Sequence, residues 1–167
     1  MAKIDDLINE LKQISPIPDD NKITSGILTK YDVIVREISL LKDPKCILPL
    51  INSFGYGEAN GLCWTTLHLL EEFEIEQVDP LLIKSLLTGE KGTKMWAAYM
   101  LGRSKNIGAV DELIDLLKDK NEFVRHNAAM ALGMIGESKA RPYLEALKSD
   151  TSAEVKIAVG RVLNSLI

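Results

Sequence analysis

A 31-residue period constrains this chain more than any other feature of its sequence. Displaced by 31 positions, Ala97-Ala98 falls on Ala128-Ala129 and Leu101-Gly102 on Leu132-Gly133. Ala109 falls on Ala140, Leu113 on Leu144, Leu116 on Leu147, Asp119 on Asp150 and Val124 on Val155. The same displacement carries Leu70 onto Leu101, Val78 onto Ala109 and Leu82 onto Leu113, and one step earlier Ile47 onto Val78. Pro49, Pro80 and Pro142 keep the register, with Asp111 in the remaining slot. Such a period marks a stack of small units, none of which can bury its apolar faces alone.

Each unit reads as two helices. The first runs from about Val124 to Ile135, with Val124, Ala128, Ala131 and Leu132 at helical spacing and Gly133 and Gly136 helping to end it. The second begins near Ser138, carries Ala140, Leu144 and Leu147 on one side, and holds Pro142 in its first turn, where a missing N–H costs little. The units fall at 31–61, 62–92, 93–123 and 124–154, and 152–167 supplies a last helix. Before them, Asp5 to Ile14 reads as an amphipathic helix, the Ser15–Asn21 stretch breaks it, and a helix follows from Thr24 to Lys42. Residues 1–30 are therefore expected to cap the open end of the stack. The shared core predicts one domain over 1–167, with repeats over 31–167.

The pattern Val124-Arg125-x-x-Ala128-Ala129-x-Ala131-Leu132-Gly133-x-Ile135-Gly136, followed by Ala140-x-Pro142-x-Leu144 and Leu147, resembles a HEAT-like repeat. It is most similar to the short form named after phycobilisome lyases. The resemblance covers 93–167 strongly and 31–92 loosely. It implies an all-α fold, a right-handed α-α superhelix (α-solenoid) of about four two-helix repeats with an N-terminal helical cap. It also implies a polar ladder, with an Asp in the inter-helix turn and an Arg six residues later. Asp119 with Arg125 matches that pattern, Asp150 with Lys156 matches approximately, and Thr88 with Lys94 lacks the acid. Asp119, Arg125 and Asp150 are thereby assigned to structure, in a ladder expected to weaken between repeats two and three.

No catalytic constellation stands out. The two histidines, His68 and His126, belong to no His-Glu-x-x-His pair or Cys-x-x-Cys cluster, so no metal site and no cofactor are expected. Gly55-Tyr56-Gly57-Glu58-Ala59-Asn60-Gly61 lacks the lysine of a phosphate loop. It reads as an inter-repeat turn or as a recognition loop presenting Tyr56 and Glu58. Cys46 and Cys63 suit a reducing compartment or a single bridge; Cys63 reads as a core cysteine, and Cys46 has no charged activator except Lys45. With no long apolar run, no membrane partner is expected, and the setting is expected to be cytoplasmic.

Charge gives the first anomaly. The 38 residues from Cys46 to Ile83 contain no Lys or Arg, but hold Glu58, Glu71, Glu72, Glu74, Glu76 and Asp79. Glu71 and Glu72 close a helix, the end where acids are unfavourable. The chain as a whole carries −4, which disfavours a nucleic-acid partner. The second anomaly is a set of large side chains outside the core columns, Trp64 and His68 in one first helix and Trp96, Tyr99 and Arg103 in the next. Such a stripe usually packs sideways between neighbouring first helices, and such a charge run is often a solvated junction; alternatively, aromatic residues with an acidic rim suit a basic protein partner. The residues expected at that surface are Tyr56, Glu58, Trp64, His68, Glu71, Glu72, Glu74, Trp96, Tyr99 and Arg103.

These features predict a non-enzymatic protein-binding module, in one form an inhibitor or immunity-type protein masking a basic partner such as a toxin. One alternative is an enzyme resembling a DNA-repair glycosylase or a chromophore lyase. It would use the concave groove lined by second helices, whose exposed columns include Leu50, Ser53, Leu81, Lys84, Glu112, Asp115, Tyr143 and Ala146. The other alternative is a scaffold subunit docking through Leu163, Leu166 and Ile167.

Overall fold

The computed structural model describes residues 2–165. Among them are ten α-helices and no strand, and no helix is long and apolar enough to cross a membrane. The chain divides into two compact units, 1–81 and 82–167.

In the N-terminal unit, α1 (Ala2–Ile14) turns Ile4, Leu7, Leu11 and Ile14 inward at alternating spacings of three and four. It packs on α2 (Ser25–Leu41) and on α3 (Ile47–Ser53), and α4 (Leu62–Leu70) packs on both of those. Thr24 caps α2, its Oγ1 accepting from the Ile27 N–H at 3.3 Å. The core holds one polar knot. Tyr31, fully buried, hydrogen-bonds through its hydroxyl to Thr66, whose own hydroxyl donates to the Leu62 carbonyl at 2.9 Å. Burial pushes the Tyr31 phenol up to about 12, so it stays protonated at neutral pH. Cys46 and Cys63 are free and buried, and burial pushes each thiol up to about 11, away from nucleophilic use.

The cap segment after α1 is tied to the Gly55–Gly61 loop. The Ile17 N–H donates to the Ser53 carbonyl at 2.8 Å, and the Asn60 N–H donates to the Asp20 carboxylate at 2.6 Å. A Cβ on Gly55 would lie 2.1 Å from the Ile17 carbonyl oxygen. Gly55→Ala is therefore expected to push the cap off the loop, costing on the order of 1–3 kcal/mol as an overpacked contact. Thermal denaturation checks this, and a variant that melts with the parent would contradict the contact.

A fifth helix, α5 (Ile75–Thr88), crosses the boundary in the sequence between the units. The C-terminal unit then contains α6 (Lys91–Arg103), α7 (Val110–Leu116), α8 (Glu122–Ile135), α9 (Arg141–Ala146) and α10 (Ala153–Ser165). The first helices α6, α8 and α10 lie side by side with α8 in the middle, α7 packs on α8, and α9 packs on α10. Short 3-10 turns, Ile107–Ala109 and Ser138–Ala140, lead into α7 and α9 in matching register. Helix α8 starts two residues before the expected Val124 because Asn121 caps it, accepting from the Phe123 and Val124 N–H groups. Gly136, at φ +83°, ends it as expected.

Gly133 differs from expectation. It does not terminate α8 but marks where α10 crosses: a Cβ there would lie 2.6 Å from Val162. Gly102, its counterpart in the period, would meet the Ala131 Cα at 2.8 Å. Both glycines let neighbouring first helices approach closely.

The ladder exists with a different pairing. Arg125 donates from Nε and Nη2 to the two Asp150 carboxylate oxygens at 2.8 and 2.7 Å, and from Nη1 to the Asp119 carbonyl at 2.9 Å. The Asp119 carboxylate takes Lys94, at 3.2 Å. Each base thus reaches the aspartate of the following turn, 25 residues on. At the far end Leu163 is buried, while Leu166 and Ile167 lie outside the described residues.

Candidate functional site

The residues expected at a partner surface are distributed over both units. In the N-terminal unit, Tyr56 is half-buried and Glu58 exposed on the loop held by the cap. Trp64 and His68 share one face of α4, Trp64 half-buried and His68 exposed. His68 Nδ1 lies 3.1 Å from Glu71. Glu72 accepts from the Ser39 hydroxyl at 2.9 Å and lies 3.5 Å from Lys42. Glu74 is exposed just before α5. The α2 partners of this group carry no repeat signature, so reading the period alone missed them.

In the C-terminal unit, Trp96, Tyr99 and Arg103 run along α6. Trp96 corrects the expectation of a presented indole: it is 8% exposed. Its ring meets Tyr99 edge to face, with centroids 6.1 Å apart and an interplanar angle of 83°. The Arg103 guanidinium sits 5.9 Å from the Tyr99 ring centroid, a cation–π contact on the exposed side. The trio packs along its own helix, as helical spacing favours.

The second-helix face of this unit is polar and open. Helix α7 contributes Asp111, Glu112 and Asp115, and the α9 segment contributes Lys139, Arg141 and Tyr143. Lys139 pairs with Asp111 at 2.5 Å across the two helices. That hydrogen bond raises the Lys139 ammonium above its ordinary value, and Tyr143 lies close enough to add to the shift. Asp115 pairs with Lys118 at 3.3 Å, and Tyr143 is 43% exposed. One Glu112 carboxylate oxygen is buried without a hydrogen-bond partner. Of the columns expected to be exposed, Lys84, Asp115, Tyr143 and Ala146 are, whereas Leu50 and Ser53 are fully buried. In the N-terminal unit α3 is covered by α1 and α4, which removes those two from any groove. Among the described residues, no three His, Cys, Asp or Glu side chains gather to hold a metal ion.

Comparison with known proteins gives the family and corrects the functional expectation. The model of HEAT repeats matches residues 78–164. Deoxyhypusine hydroxylase of Drosophila melanogaster is 42% identical over 71 residues, covering 39% of this chain and 24% of that protein. The Debaryomyces hansenii deoxyhypusine hydroxylase is 42% identical over 62 residues, covering 35% and 20%. Phycocyanobilin lyase subunit alpha of Picosynechococcus is 38% identical over 65 residues, covering 39% and 24%. The chain thus spans about a quarter or less of the length of these relatives. The structure of human deoxyhypusine hydroxylase in complex with glycerol aligns at a TM-score of 0.58 and 19% identity, over 96% of this chain and 62% of that one. That likeness carries the fold. The relatives are a hydroxylase and a lyase, and they overturn the expectation of a non-enzymatic binding module, inhibitor or scaffold. That expectation rested on the stacked repeats, the missing catalytic motif, the acidic segment and the aromatic side chains outside the core columns. Repeat columns record packing, and packing says little about what chemistry a face supports.

Proposed function

This chain belongs to the HEAT repeat family, and from that premise we propose that it is a lyase-type enzyme, or the substrate-holding part of one, which binds an open-chain tetrapyrrole against its α7–α9 face. The observation that carries the reading is the likeness to a phycocyanobilin lyase subunit. The chemistry of the face supports it. A bilin presents carboxylates and pyrrole N–H groups around a flat conjugated system. Lys139 and Arg141 suit the carboxylates, Asp111 and Asp115 accept from N–H donors, and the half-open Tyr143 ring offers a flat apolar contact.

The hydroxylase likeness brings no hydroxylation chemistry to this face. Oxygen insertion is commonly the work of a non-haem iron held by two histidines and a carboxylate. The described residues gather no such set, and His68 and His126 stand on first helices of different units. The residues present do not fit such a metal.

Titrating phycocyanobilin with the purified chain is expected to shift its visible absorption saturably. Lys139→Ala with Tyr143→Ala, both at exposed positions, is expected to weaken binding at least tenfold with unchanged helicity. An unchanged spectrum in excess chain, or a double variant that binds like the parent, would overturn the reading.

A further inference from the structure

Between α3 and α4 the backbone makes a left-handed turn. Ala59, Asn60 and Gly61 follow one another at φ +52°, +50° and +91°. Glycine adopts that conformation freely and asparagine tolerates it, whereas alanine has neither that freedom nor a polar side chain to compensate. Ala59 is nevertheless fully buried there. Within the turn, the Gly61 and Cys63 N–H groups both donate to the Glu58 carbonyl, at 3.0 and 3.3 Å.

The Asn60 N–H turns instead to the Asp20 carboxylate, 40 residues earlier in the chain. Asp20 opens a short 3-10 turn, Asp20–Lys22, in which the Lys22 N–H donates to the Asp19 carbonyl at 2.8 Å. Just before it, Ile17 bonds to Ser53 and crowds Gly55. Left-handed backbone at residues other than glycine persists where its surroundings over-determine it. Here the surroundings are the cap segment, so two short pieces of chain hold each other in shape.

We propose that residues 15–23 are a latch on the 55–61 loop. With the Asp20 carboxylate on the Asn60 N–H, the loop keeps its left-handed turn. When the latch lifts, the turn relaxes to ordinary backbone. Ile17 and Ala59, now covered, come open, and Tyr56 and Glu58 change their presentation. The two segments thus open as one local unit, and a change made on either is felt on the other. The latch lies in the N-terminal unit and does not depend on the bilin reading.

The test is amide hydrogen exchange of the full chain, followed by NMR. Asp20→Ala is expected to speed exchange of the Gly61 and Cys63 amides at least tenfold, although both bond to Glu58 and not to Asp20. Asn60 is exposed, so Asn60→Val acts through the backbone, which a β-branched residue strongly resists in the left-handed region. It should speed exchange of the Ile17 and Lys22 amides at least tenfold. Asn60→Gly, which accepts the same backbone, should leave these rates at the parental level. In all three variants the amides of α2 and of residues 67–70 should exchange as in the parent. Three results would overturn the proposal. One is an effect confined to the segment that carries the substitution. Another is Asn60→Gly opening the cap as far as Asn60→Val. The third is faster exchange throughout α2 and residues 67–70, which would mean that the whole unit loosens.

Discussion

Arg125→Ala is expected to be among the most damaging single changes in the C-terminal unit, costing on the order of 3–5 kcal/mol. The Arg125 and Asp150 side chains are 12% and 6% exposed, so removing the cation leaves a carboxylate out of water without its counter-charge. It also removes the donors to the Asp119 and Lys120 carbonyls, which join the ladder to the turn before α8. Arg125→Lys should recover only part of the loss, because an ammonium cannot span both carboxylate oxygens as the guanidinium does. Lys94→Met should cost clearly less, since Lys94 makes one contact at 3.2 Å and is more exposed. The pair also sets an acid limit. The Arg125 hydrogen bonds, against the opposing effect of burial, hold the Asp150 carboxyl below its ordinary value of 3.8. A lowered folded-state value means that the stabilisation is complete above the ordinary range and lost as pH falls through the lower one. Denaturation midpoints should therefore be flat for this pair from pH 7 to pH 5 and fall only in stronger acid, and Arg125→Ala should flatten that fall.

Leu132→Ala is expected to cost about 2–5 kcal/mol, the range for a buried leucine cut to alanine in a site that cannot fully collapse. Leu132 is fully buried on α8, the helix held between α6 and α10. Those neighbours approach at the Gly102 and Gly133 crossings, where backbone and branched side chains are already close, so they have little room to fill a cavity. Leu101→Ala, at the equivalent position of α6 and equally buried, should behave alike. Each unit contains one tryptophan, Trp64 or Trp96, which allows the loss to be located. In a Trp64→Phe background, Trp96 fluorescence should report a lower urea midpoint for Leu132→Ala. Midpoints unchanged in both leucine variants would contradict the repeat register.

The fold was legible because packing repeats. The columns of Ala97, Leu101 and Leu113 are buried together with Ala128, Leu132 and Leu144, and a period of 31 needs only one chain to be seen. Cross-helix neighbours were less legible, because a period aligns equivalent residues and does not say which unlike residues touch. Arg125 therefore looked like the partner of the Asp119 carboxylate, although its fork reaches Asp150. Gly133 looked like a stop, although it is a crossing point. Trp96 falls outside the core columns, which left packing and presentation both open, and the structure buries it against Tyr99. Ser39 of α2, which bonds Glu72, was missed for the same reason. The polar α7–α9 face was partly visible, in Asp115 and Tyr143. The groove enzyme stood there only as an alternative, because exposed side chains carry no period, and comparison with other proteins is what favours it.

Whether the α7–α9 face holds a substrate, as proposed, is decided by amide NMR of the full chain titrated with phycocyanobilin. Shifts are expected at residues 110–118 and 138–146, with residues 29–39 and 65–72 silent. Shifts confined to the first helices, or none at a bilin excess, would contradict it.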